Sequence, residues 1–76
     1  MSKLTLVTAK KMCKIVEACG FRKIRQKGSH IFYSDDGGNS TVVPLHNGDL
    51  KRGLIHGILN DLNLSVEEYE QLRKIV

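Results

Sequence analysis

The sequence has little from which to build a covalent or metal-held scaffold. Its two cysteines, Cys13 and Cys19, are too few for a disulfide framework and are not spaced as Cys-x-x-Cys. Their spacing fits buried helix residues in a reducing compartment. There is no clustered carboxylate set, and His30, His46 and His56 lack ligand spacing, so no metal centre is expected. No apolar run is long enough to cross a bilayer. Leu4-Thr5-Leu6-Val7 is too short for the apolar core of a signal peptide. A cytoplasmic protein without a membrane role is the expectation. Repeats, linkers and low-complexity stretches are also missing. With 76 residues the chain is expected to form one domain, residues 1–76, with a modest core. That size disfavours an internal cavity for a large cofactor, and none is expected. A flat or grooved active surface fits better.

What the chain does have is charge, unevenly placed. Residues 1–30 carry eight lysines and arginines against Glu17 alone, a net +7. Residues 31–76 carry four against seven carboxylates, a net −3. A basic half attracts an anionic partner, most simply nucleic acid. Solvated lysines on a helix face are the plainer reading of the same charge.

Thr8 is suited to cap a first helix, along which Ala9, Met12, Cys13, Val16 and Cys19 share one face. Lys10, Lys11, Lys14 and Glu17 take the other, and Gly20 suits the C-terminal cap. Phe21 to Gln26 reads as a first strand, and a period of two puts Lys23, Arg25 and Lys27 on one face. Ser29 to Ser34 reads as a second strand. If Ile31 and Tyr33 face the helices, His30 and Phe32 face outward together, where a base could stack on the ring. The opposite parity buries His30 and Phe32. Asp35-Asp36-Gly37-Gly38-Asn39 is a turn. Ser40 to Val43 is a third strand ended by Pro44, the single proline.

Asp49 is placed to cap the next helix. Leu50, Leu54, Ile55, Ile58, Leu59 and Leu62 give that helix the strongest amphipathic pattern in the chain. Gly53 and Gly57 interrupt it at a cost of about 1 kcal/mol each, which close packing of the helix would offset. Lys51 and Arg52 fall in its first turn, where the macrodipole disfavours cations. Ser65-Val66-Glu67-Glu68 is a capping-box signature opening a short last helix.

The stretch Arg25-Gln26-Lys27-Gly28-Ser29-His30 combines a basic strand end, a glycine turn and a histidine at the start of the next strand. Glycine permits a tight turn and close backbone approach. Cationic neighbours suit a phosphate-bearing ligand. A hairpin turn with an incidental histidine is the competing reading of these six residues.

The element order is helix, three antiparallel strands, helix and a short C-terminal helix. This α+β arrangement is the double-stranded-RNA-binding-domain type of layout. Four segments carry a closer resemblance. They are Thr8-Ala9-Lys10-Lys11 through Ala18-Cys19-Gly20-Phe21, Gln26-Lys27-Gly28-Ser29-His30, Val42-Val43-Pro44-Leu45-His46, and Leu50-Lys51-Arg52-Gly53-Leu54 with Ile58-Leu59. In this order the chain resembles the HicA toxin family, the RNA-cleaving partners of HicAB toxin–antitoxin systems. Leu54 departs from that pattern, where threonine is more usual. So does Asp35-Asp36-Gly37-Gly38, where a proline-containing turn is common.

The resemblance implies a ribonuclease that acts on mRNA, with His30 as its catalytic histidine and a HicB-type antitoxin as protein partner. RNA needs no metal for cleavage, because its own 2′-OH can attack the adjacent phosphate. A histidine with a pKa of about 6.5 serves either proton role near neutrality, and nearby cations favour the neutral base form. Arg25 and Lys27 are candidates to hold the phosphate, Gly28 to admit the RNA backbone, and Ser29 to donate a hydrogen bond. Lys51 is a further phosphate-binding candidate. The second proton-transfer group is not evident, and His46 is one candidate. Two other functions use the same features. One is a non-catalytic double-stranded-RNA-binding module, and the other is an interaction protein whose basic face docks an acidic partner.

Overall fold

A computed structural model describes residues 3–76. The first helix, α1 (Ala9–Ala18), starts where expected: Thr8 is extended, and its hydroxyl accepts from the Lys11 amide at 3.2 Å. Met12, Ile15 and Val16 are fully buried on its inner face. Cys13 and Cys19 are free thiols and only half-buried. Gly20 follows Cys19 with φ +91, the left-handed geometry that ends the helix.

Three strands then form an antiparallel sheet in the order β1-β2-β3: β1 (Arg22–Lys27), β2 (His30–Ser34) and β3 (Ser40–Pro44). Ile31, Tyr33 and Val43 point to the helices and are buried. The alternate residues Phe32, Val42 and Pro44 are half-buried on the other face, and His30 is exposed there. The Asp35–Asn39 turn is built by one side chain. The Asp35 carboxylate accepts from the amides of Gly37 at 3.0 Å and Asn39 at 2.8 Å. The Asn39 side chain also bonds it, and this holds the carboxyl below its ordinary range.

The second helix, α2 (Arg52–Leu62), lies against β3 and buries Ile55, Ile58, Leu59 and Leu62. Two expectations fail here. Asp49 does not cap the helix. It forms an isolated antiparallel bridge with Thr8, and Lys51 holds the cap position without a side-chain bond. Gly53 and Gly57 are not sites of close packing either. A β-carbon on either would meet nothing within 4 Å, and both border an open groove with Ser40, Thr41 and Val42.

The last helix, α3 (Val66–Leu72), has the full capping box between Ser65 and Glu68. It clamps the segment before α1. The Tyr69 hydroxyl donates to the Thr5 carbonyl at 2.5 Å. The Glu70 carboxylate accepts from the Thr5 amide at 2.7 Å and its hydroxyl at 3.1 Å. Leu4 and Val7 are thereby held in the core, and Tyr69 is completely buried. Beyond the helix, Ile75 is 79 % exposed, whereas Val76 packs on the core.

Candidate functional site: the open face of the sheet

Both long helices pack on one side of the sheet, which leaves the other side to solvent. Which residues stand on that open face follows from the register. Arg22 pairs with Ser34, Lys23 with Tyr33, Arg25 with Phe32, Gln26 with Ile31 and Lys27 with His30. Residues directly opposite share a face. Arg25, Lys27, His30 and Phe32 therefore stand together on the open side, joined by Arg22 and Ser34.

Lys23 does not join them. A β-bulge between Lys23 and Arg25 leaves Ile24 unpaired and shifts the alternation by one residue. Lys23 falls on the Tyr33 side, and its ammonium donates to Gln26 Oε1 at 3.2 Å on that same side. The expected row of three cations is thus divided. Arg22 takes the vacated role on the open face, but its guanidinium is paired with Asp36 at 2.6 Å. Both of those side chains are highly exposed, so the pair is weak.

The Gly28–Ser29 turn joins Lys27 to His30. Gly28 has φ +58 while Ser29 has a negative φ, the glycine-first arrangement of a two-residue hairpin loop. A β-carbon at Gly28 would meet nothing within 4 Å, so backbone conformation alone demands glycine there. Two bonds brace the turn. The Gln26 side chain donates to the Gly28 carbonyl at 3.1 Å, and the Leu45 amide donates to the Ser29 carbonyl at 2.6 Å. The second bond continues the sheet past Pro44, which pairs with His30 on the side away from Lys27. His30 is therefore a strand residue flanked on both sides by backbone, with an exposed ring.

Arg25 packs its guanidinium over the Phe32 ring, 4.6 Å from the centroid. His46 follows Leu45 in the loop after β3. Its Nδ1–H donates to the Asn47 carbonyl at 2.7 Å, which leaves Nε2 as the nitrogen able to accept a proton. It borders a separate shallow depression with Thr8, Lys10 and Gly48. Lys51 is exposed at the start of α2. Its neighbour Arg52, also exposed, donates to the Leu4 carbonyl at 2.9 Å, which offsets the unfavourable position of a cation at that helix end. Among the described residues, no three His, Cys, Asp or Glu side chains converge as metal ligands. No helix among them is long and apolar enough to cross a membrane.

Sequence reading alone missed the bulge, the Arg25–Phe32 contact and the bond from Leu45 to the turn. With only Phe21 and Ile24 apolar, the first strand carries no pattern that marks the bulge. The other two depend on register, which no local pattern encodes.

No curated protein matches the chain. A family model described as HicA toxin of bacterial toxin-antitoxin matches residues 9–64. That stretch runs from the first residue of α1 to just beyond α2, and so contains the whole sheet with its open face. The chain belongs to the HicA toxin family.

Proposed function

We propose that this toxin is a metal-independent ribonuclease that cleaves mRNA, with His30 as its proton-transfer group. The observation that supports this most is the pairing of His30 with Lys27 on the open face, beside Arg25. An exposed imidazole on a braced strand end can meet a phosphodiester, and two cations stand beside it to receive the negative charge.

The chemistry follows from RNA itself. The 2′-oxygen attacks the adjacent phosphorus and loses its proton to the neutral His30 imidazole. The bond from phosphorus to the 5′-oxygen breaks, and that oxygen takes up a proton. A 2′,3′-cyclic phosphate and a 5′-hydroxyl remain. Arg25 and Lys27 hold the phosphate and stabilise its growing charge. Gly28 lets the RNA backbone come close, and Ser29 donates a hydrogen bond. Lys51 binds a neighbouring phosphate. His46, once protonated at Nε2, is the candidate to donate the proton that the 5′-oxygen takes up. A positioned acid or base contributes about 10²- to 10⁴-fold.

A toxin of this family works against a cognate antitoxin. We assign that partner to the HicB type, and the shared setting to the cytoplasm. The test is a comparison of wild type and His30→Ala on purified mRNA with and without EDTA. Cleavage by wild type in both conditions, lost in a folded variant, is the expected result. An alanine variant that cuts RNA normally overturns the assignment. RNA bound but never cut by either protein would make the chain a double-stranded-RNA-binding module instead.

A further inference from the structure

The chain has four aromatic residues, two phenylalanines and two tyrosines. Phe21, Tyr33 and Tyr69 are each at most 4 % exposed, in the core. Phe32 alone reaches a surface, and that surface is the open face, two residues along β2 from His30. Residues two apart on a strand point the same way, about 6.5–7 Å apart. No helix among the described residues lies on that face of the sheet. What lies over it is the Arg25 guanidinium, a planar cation that stacks equally well on an aromatic ring or a nucleobase.

We propose that Phe32, with Arg25, forms a nucleobase-stacking subsite that fixes one base of the RNA beside the phosphate presented to His30. This inference rests on the ribonuclease reading and adds what positions the substrate. Phosphate contacts alone hold RNA without fixing where along the strand the imidazole acts. A base on Phe32 sets that distance. In the free protein the guanidinium covers the ring. When a base takes its place, Arg25 is released toward the neighbouring phosphate, so one residue shields the ring before binding and grips the backbone afterwards. Stacking accepts any base, because each has a π face, so the subsite confers position more than sequence preference. Phe32 is a positioning residue, and the bond-breaking chemistry stays with His30.

The test measures binding apart from cleavage, in a His30→Ala background. The probes are a ten-nucleotide oligoadenylate and an abasic ribose-phosphate oligomer of the same length. Phe32→Leu should weaken oligoadenylate binding by about 5- to 150-fold, the range found for loss of one stacked base. It should leave abasic binding unchanged. The chain has no tryptophan, so Phe32→Trp introduces a single indole. Its fluorescence should be quenched by oligoadenylate and not by the abasic oligomer. In the His30 form, Phe32→Leu should raise KM more than it lowers kcat, and Phe32→Tyr should restore it. Equal binding of both probes by Phe32→Leu and its parent overturns the subsite while leaving the nuclease intact. A loss confined to antitoxin binding overturns it too, and makes Phe32 a protein contact. Failure of every form to bind either probe overturns both the subsite and the ribonuclease reading.

Discussion

Lys27 and His30 face each other across the last rung of the β1–β2 ladder, separated in sequence only by Gly28 and Ser29. A cation and an imidazole are thus fixed side by side by the tightest connection an antiparallel pair allows. Lys27→Ala should weaken RNA binding and lower the slope of log affinity against log salt by about one unit, as expected for one lost phosphate contact. Lys27→Glu should weaken it further. Titrations of RNA at several salt concentrations check both.

Glycine matters differently at two places, and stability should separate them. At Gly28 the backbone is left-handed, so Gly28→Ala should cost about 1–2 kcal/mol although the added methyl meets nothing. Gly57 lies inside α2 with open space beside it, so Gly57→Ala should stabilise by about 0.5–1 kcal/mol. Urea denaturation of the two variants should give shifts of opposite sign. A loss at Gly57 would indicate that its open groove is occupied in solution.

The clamp on the N-terminal segment should be costly to remove. Tyr69→Phe keeps the buried ring and loses only its bond to Thr5, for about 0.5–1.5 kcal/mol. Tyr69→Ala empties a fully buried site and should cost about 3–5 kcal/mol. Burial also pushes the Tyr69 phenol up to about 12, so the bond should survive well into alkaline pH. Melting curves of the two variants check the ratio.

Acid should loosen the same clamp. The Arg73 hydrogen bond, together with the Thr5 bonds, holds the Glu70 carboxyl below its ordinary range. A carboxyl depressed in the folded state contributes stability above its unfolded value of about 4.3. That contribution is lost as pH falls through the lower folded value. Glu70→Gln should therefore be less stable than wild type near neutrality, with the difference shrinking below about pH 4. A constant gap across pH would mean that the carboxylate charge contributes nothing.

The layers of this fold were legible because they depend on local pattern. Thr8, Gly20 and Ser65 marked helix ends through side-chain and backbone chemistry that acts within four residues. The alternation of Ile31 and Tyr33 with His30 and Phe32 left two parities open, and the burial of Ile31 and Tyr33 in the core decides between them. The placement of Lys23 was misread because one bulged residue reverses a period of two. Asp49 was misassigned because a capping residue competes with other uses of the same backbone, here a bridge to Thr8. The glycines of α2 defeated the packing argument, since helix propensity records a cost without naming what offsets it. The clamp by α3 joins residues more than sixty positions apart, and no local signal reports such a contact. Of the candidate site, the turn and its histidine were readable. The Arg25–Phe32 stack required the register.

The hold of Tyr69 and Glu70 on Thr5 has a kinetic meaning during synthesis. Thr5 is synthesised before the residues that hold it, and those partners come more than sixty residues later. At about 5–20 residues per second, that is a wait of several seconds. During this interval Leu4 and Val7 lack their final cover, so the nascent toxin is at its most vulnerable to proteases. An antitoxin or chaperone that reaches it then would meet a chain not yet locked shut.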